Sequence, residues 1–236
     1  MVTYLLVHGA WHGGWCWRRV TPLLRRAGHD VFTPTLTGLG ERAHLAHPGI
    51  DLETHIQDVL GVLEYEDLDR VVLVGHSSAG MVIAGVAERA AERLVHLVYL
   101  DAFIPHDGQS LADLVRPERR EQMLATAQAE GDGWRVPPFP VQAYGVTADA
   151  DILWVGPKLM GQPLRTFQQP VRLTSRTTET LPRTFIYCSN PAMGPFDQFL
   201  ERVRTGGWRY RELATGHDAM VTGPEQLADL LLEVAD

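Results

Sequence analysis

The chain is short of lysine, of cysteine and of long apolar runs. One lysine, Lys158, stands among 21 cationic side chains, and 29 carboxylates bring the formal net charge to −8. An acidic chain with no basic stripe cannot neutralise a phosphate backbone, which excludes a nucleic-acid partner. Two cysteines, Cys16 and Cys188, are too few for a disulfide framework and fit reduced thiols in a cytoplasmic setting. No apolar run approaches the roughly 18 residues of a membrane span, so no membrane partner is expected. Met1 leads almost directly into a strand pattern, without the basic segment and cleavage site of a signal peptide. Repeats and low-complexity segments are also missing. What remains is 236 residues, 45% hydrophobic and 21% charged. That is enough for one α/β domain with an insertion and a sizeable core.

The stretch Val71 to Gly80, VVLVGHSSAG, organises the rest. Four apolar β-formers run into a small-residue turn, and Met81 to Ala91 follows with helical character. Strand, tight turn and helix form a nucleophile elbow, which holds a reactive serine above the end of a parallel sheet. Ser77 is the candidate nucleophile. Small residues flank it because strand and helix approach closely there. The common form is G-x-S-x-G; here Ala79 takes the last position and Gly80 follows it.

Upstream, Thr3 to Val7 is an apolar strand followed by HGAWHGGW. The glycines match neither G-x-G-x-x-G nor a phosphate loop ending G-K-[ST]. An H-G-x loop after a first strand fits an oxyanion hole, whose donors we assign to the backbone N–H groups of Ala10 and Ser78. His8 and His12 lie on a strand end and a loop, which does not support a helical zinc site, and no metal is expected. Trp17 to Ala27 reads as a helix, Val31 to Thr33 as a strand, and Pro34 to Pro48 as a loop. Leu52 to Leu63 reads as a helix carrying His55 toward the surface or a loop.

Leu94 to Leu100 is a nearly all-apolar strand ending on Asp101. Two readings stand for Asp101: a local cap, or the acid partner of a catalytic histidine at the carboxyl edge of the sheet. We favour the second, because functional groups cluster at that edge. From Phe103 to Thr180 the strand rhythm stops. That stretch is too long for a plain loop and too apolar for a disordered linker. It reads as a helical cap, with helices over Leu111 to Ala129 and Ala148 to Met160. Arg183 to Cys188 returns as a strand, Phe196 to Arg204 as a helix, and Trp208 to Leu213 as an edge strand. ATGHDAM then places His217 at the carboxyl edge, and Pro224 to Val234 closes the chain as a helix. The expected fold is a mostly parallel, doubly wound sheet of about six strands. Its core is residues 1–102 and 181–236, and the cap is residues 103–180. The order Ser77, Asp101, His217 is serine, acid, histidine, the order of the α/β-hydrolases.

On these motifs the chain resembles the α/β-hydrolase superfamily, and within it bacterial relatives of the plant methylesterase and hydroxynitrile lyase family. LLVHGAWHGGWCW is similar to that family's opening strand and oxyanion loop, VVLVGHSSAGMV to its elbow, and ATGHDAM to its histidine loop. The resemblance implies a cofactor-free serine esterase for a small, fairly apolar ester such as a methyl or aryl ester. Family members are often dimers, so a homodimer is the assembly to look for. Plant members carry the acid after the penultimate strand, where this chain has Cys188-Ser189-Asn190-Pro191 and no aspartate. Asp101 is therefore taken as the acid, with Asp197 as the alternative and a dyad assisted by Asn190 as a third option. Two other readings stay open. A hydroxynitrile-type lyase would want a lysine where Asp218 stands, and a non-hydrolytic tailoring or binding protein would use the same pocket.

Overall fold

The computed structural model describes residues 1–175 and 180–235. Six strands form one sheet: β1 (Thr3–Val7), β2 (Asp30–Phe32), β3 (Val71–His76), β4 (Leu94–Leu100), β7 (Arg183–Cys188) and β8 (Arg209–Leu213). They lie in the order β2-β1-β3-β4-β7-β8. Every neighbouring pair in it is parallel, as the sequence leads one to expect. The central strands β1, β3 and β4 are buried almost throughout, because a parallel strand is covered on both faces. β8, at the edge, has mostly exposed or half-buried side chains.

The chain winds from β1 outward to β2 in one direction and from β3 to β4 in the other. With right-handed crossovers this reversal puts α1 (Thr21–Arg26) on one face and α2 (Leu52–Tyr65) and α3 (Ala79–Ala90) on the other. Consistent with that, α2 packs on α3, while α1 packs on the closing helix Pro224–Ala235. Asp51 caps α2 through the Thr54 N–H at 3.0 Å, and Ile56, Val59 and Leu63 form its buried face. The reversal between β1 and β3 is the switch point at which open α/β sheets bind ligands.

Register aligns the carboxyl ends. Val7 pairs with Gly75, His76 with Leu100, Leu100 with Ile186 and Cys188 with Leu213. The residues that follow these ends, from His8, Ser77, Asp101, Ser189 and Ala214 onward, therefore emerge along one edge.

Several expected helices are broken at identifiable places. Trp17 to Ala27 divides into a 3-10 turn, Gly14–Arg19, and α1, with Pro22 in the first turn of α1 where its missing N–H costs nothing. The helix expected over Leu111 to Ala129 is a 3-10 turn, Leu111–Asp113, then α4, Pro117–Glu130. Pro117 holds Arg116 in an extended conformation and starts a new helix. The one over Ala148 to Met160 is α5, Asp149–Val155, and a 3-10 turn Gly156–Lys158 begun by Gly156-Pro157. Phe196 to Arg204 is a 3-10 turn, Asp197–Phe199, leading into α7, Leu200–Thr205. Residues 103–180 also hold elements that the sequence pattern does not announce: a small antiparallel pair, β5 (Arg135–Val136) with β6 (Gln162–Pro163), a 3-10 turn over Val141–Tyr144, and the short α6, Arg165–Gln168. Residues 176–179 of the expected cap lie outside the described residues. No helix among the described residues is long and apolar enough to cross a membrane.

Candidate active site

Ser77 sits between β3 and α3 with φ +56°, a left-handed conformation that a side chain adopts only under constraint. The constraint comes from the adjacent strand end: its N–H donates to Leu100 O at 3.1 Å, and its carbonyl accepts from the Phe103 N–H at 3.1 Å. The glycine that the elbow requires is Gly80. A Cβ there would stand 2.0 Å from the Phe103 carbonyl oxygen, whereas Ala79 fits, fully out of water. The departure from G-x-S-x-G thus leaves the close approach of α3 intact, one residue later.

Asp101 is likewise left-handed, φ +42°, held by its N–H to Ile186 O at 2.7 Å. That turn aims its carboxyl out of the sheet. Oδ2 meets His217 Nδ1 at 2.7 Å, and Oδ1 accepts from the Cys188 N–H at 3.2 Å. Burial pushes the Asp101 carboxyl above its ordinary pKa, against the pull of His217 and the Cys188 N–H. The Phe196 ring lies flat on the His217 imidazole, centroids 5.0 Å apart. The next residue, Asp197, is exposed on its 3-10 turn at the cavity rim. Asn190 is exposed, and its backbone N–H donates to Thr215 O. Neither meets His217 Nδ1, which Asp101 occupies.

The loop after β1 is fixed by histidines. His8 Nε2 accepts from the Leu36 N–H at 3.0 Å, so Nδ1 carries the proton and donates to Gly9 O at 2.8 Å. In a trans peptide the N–H points opposite to the C=O, so His8 turns the Ala10 N–H away from itself. Burial keeps His8 neutral, its pKa lowered to about 3. A Cβ on Gly9 would fall 2.9 Å from Ser77 Cβ, so only glycine lets this loop lie against the elbow. Among the described residues, neither the Ala10 nor the Ser78 N–H has a protein acceptor. Ser78 stands at the N-terminus of α3, whose dipole favours an anion at that point.

Two more histidines hold backbone carbonyls. His76 Nε2 bonds His217 O at 3.0 Å, and His12 Nδ1 bonds Ala10 O at 2.8 Å. His12 Nε2 also meets Asp218 Oδ2 at 3.0 Å, both side chains buried. From the sequence alone His8 and His12 suggest only an unsupported zinc site, and His76 carries no role. The available signal was position: each stands within two residues of Ala10 or Ser77. His55, expected at the surface or facing a loop, does face a loop, bonding Thr37 O at 3.1 Å. It is buried, however, because the 34–48 loop folds over α2.

Ala10, Ser77, Ser78 and His217 line one cavity of about 1090 Å³. Around them stand aromatic rings, Trp11, Phe103, Phe139, Phe167 and Phe196; the mouth carries charge, including Asp113, Arg116 and Arg119. Trp11 ties the loop to residues 103–180 three times: its N–H to Gln162 Oε1, its indole N–H to Val136 O, and its carbonyl to the Met160 N–H. Among the described residues no group of three His, Cys, Asp or Glu side chains is placed to hold a metal ion.

Residues 4–230 match the model of the alpha/beta hydrolase family. The chain is 42% identical over 240 residues to a carbendazim hydrolyzing esterase of Nocardioides sp. (strain SG-4G), covering 98% of both chains. It is 27% identical over 275 residues to methylesterase 3 of Arabidopsis thaliana, covering 98% of this chain and 95% of that one. Among solved structures it superposes with TM-score 0.87 on an extracellular alpha/beta-hydrolase from a Paenibacillus species. That protein is 24% identical, covers 99% of both chains, and is described as sharing homology with tobacco salicylic acid binding protein 2.

Proposed function

The chain belongs to the alpha/beta hydrolase family and is a carboxylic ester hydrolase, and on that premise we propose that Ser77, His217 and Asp101 are its catalytic triad. The observation that carries the assignment is the 2.7 Å contact of Asp101 with His217 Nδ1 on the wall of the cavity that Ser77 also lines. Asp101 accepts from Nδ1–H, which leaves Nε2 basic. His217 Nε2 takes the hydroxyl proton as Ser77 Oγ attacks the ester carbonyl. The carbonyl oxygen becomes an oxyanion, and the Ala10 and Ser78 N–H groups receive it. The tetrahedral centre collapses, the C–O bond to the alcohol breaks, and His217 returns its proton to the leaving oxygen. Water then repeats the sequence on the acyl-serine, with His217 again as base, and releases the acid.

The ring of aromatic residues supports a small, fairly apolar ester as substrate. We read residues 103–180 as a cap on the core of residues 1–102 and 181–236; the three bonds from Trp11 support a cap joined directly to the oxyanion loop. A cytoplasmic setting belongs to the same reading and is supported by Cys16 and Cys188, both buried and unpaired. Sedimentation of the purified protein would show whether it is the homodimer that the resemblance suggests.

The test is hydrolysis of methyl and aryl esters, with carbendazim among them, by wild type and Ser77→Ala. Loss of an activated serine can cost on the order of 10⁶-fold in kcat. A Ser77→Ala variant that keeps its ester turnover would overturn the serine mechanism. A wild type that turns over no ester but frees cyanide from mandelonitrile would hand the site to lyase chemistry.

A further inference from the structure

We propose that His12 and Asp218 are a positioning pair for this hydrolysis, a proton-bridged tie that fixes the loop after β1 against the loop after β8. The inference rests on the oxyanion role of Ala10. His12 lies two residues beyond Ala10, and Asp218 directly follows His217. Their contact, Nε2 to Oδ2 at 3.0 Å, joins residues 206 apart in sequence.

The bonds fix the protons. A carbonyl can only accept, so His12 donates from Nδ1 to Ala10 O. Its other nitrogen faces a carboxylate oxygen, and that contact is attractive only with one proton between them. The Ala10–Trp11 peptide is thereby gripped at both ends: its oxygen by His12, its N–H by Gln162 Oε1 at 3.1 Å. Trp11 has φ +66°, a conformation that a bulky residue keeps only where its surroundings over-determine it. On the other side the Asp218 N–H donates to Tyr144 O at 3.0 Å, and its carbonyl accepts from Val221 and Thr222. The tie therefore joins two backbones that are each already anchored.

A purely structural role explains the pair poorly. Among the described residues Asp218 Oδ1 is buried with no protein partner, and a buried ion pair bonded only in part stabilises a fold no better than apolar side chains of the same size. What the pair supplies and apolar residues cannot is a directional bond on Ala10 O. The groups facing it are the Trp15 ring stacked on His12 at 5.4 Å, the rings of Tyr144 at 5.6 Å and His76 at 6.4 Å, and the electrostatic neighbours His8, Cys16 and Cys188.

Two variants of the full chain test this. Asp218→Asn keeps the tie, since the amide donates to His12 Nε2 while His12 still donates from Nδ1. His12→Leu/Asp218→Leu removes the tie and fills the space, so that folding is spared. Losing an entire oxyanion donor costs roughly 10²–10³-fold in kcat, so a misplaced one should cost about 10–10²-fold. The double-Leu variant is expected to melt near the wild-type temperature and to lose that much kcat with KM nearly unchanged. It should also lose affinity for a trifluoromethyl ketone in proportion, because the interaction matters only in the transition state. Asp218→Asn should keep most of kcat. A double-Leu variant with wild-type kcat would overturn the tie, and so would equal losses of kcat in both variants. Ser77→Ala, assayed beside them, separates this failure from failure of the serine mechanism: the tie alone fails if Ser77→Ala is inactive and the double-Leu variant is not.

Discussion

Asp101–His217 and His12–Asp218 are built from the same two side-chain types, at 2.7 and 3.0 Å, and all four residues are buried. They differ in what the second ring nitrogen does. His217 gives Nδ1 to its aspartate, and among the described residues its Nε2 has no protein partner. His12 has both nitrogens engaged, one on Asp218 and one on Ala10 O. A histidine with a free nitrogen can move a proton to and from a substrate; one with both engaged can only hold something in place. They also differ in the aspartate. Both Asp101 oxygens are bonded, whereas among the described residues Asp218 Oδ1 has no protein partner. The same pair of residues thus supplies chemistry or geometry according to how many of its hydrogen-bonding positions the backbone takes up.

The sharpest way to break the comparison is to make the same substitution in both pairs. Asp101→Asn puts an amide against Nδ1 and favours the wrong imidazole tautomer, which should lower kcat by about 10⁴-fold at neutral pH. Asp218→Asn should keep most of kcat, because His12 has no tautomer to lose. Equal losses would mean that the two pairs do the same work. The Asp101 variant should meanwhile melt no lower than wild type. Burial raises the Asp101 pKa, so folding favours its protonated form, and whatever it contributes to stability is lost as pH rises through the folded value. A neutral amide removes that loss, and a melting curve at neutral pH checks it.

Asp197→Asn offers a smaller contrast, since this aspartate is exposed at the rim and His217 Nδ1 is already engaged. Its expected change in kcat/KM is no more than about twofold, within the range of a surface substitution. A large loss would move the acid role to Asp197.

The smallest effect is in the pH dependence of stability. Burial opposes charge on His12, but the Asp218 carboxylate and the Ala10 carbonyl outweigh it and raise its pKa. Its contribution is full below the ordinary histidine value and is lost as pH rises through the folded value. As pH rises above the ordinary histidine value of about 6.5, the wild type should therefore lose melting temperature more steeply than Asp218→Asn, whose tie has no proton to release.

Much of this protein is legible in one dimension because it is set locally. The apolar run of β3 and the small residues at 75–80 specify strand, turn and helix within ten neighbours, and the parallel sheet follows from the alternation of such units. The same local rules fail where proline interrupts an otherwise helical pattern, at Pro22, Pro117 and Pro157. Each proline lacks the N–H that would continue a preceding helix and so stands in the first turn of a new one, and at Pro117 the ring also holds Arg116 extended.

Ser77, Asp101 and His217 could be named from the chain because each follows a strand. The chain favours Asp101 as the partner of His217 but leaves Asp197 open, since the contact itself depends on the register of β4 beside β7. The register carries Asp101 next to the backbone of Cys188 and leaves Asp197 on a turn at the rim. Position beside Ala10 and Ser77 marks His8, His12 and His76 for attention, but their partners depend on the same tertiary geometry. Each holds a carbonyl whose direction is fixed only when loops from separate strands meet, and the His12–Asp218 contact spans 206 residues. Sequence pattern determined the elements and their order, because propensity and periodicity act over a few residues. Tertiary structure decided which polar atoms face one another, because a hydrogen bond depends on distance and angle and the sequence carries neither.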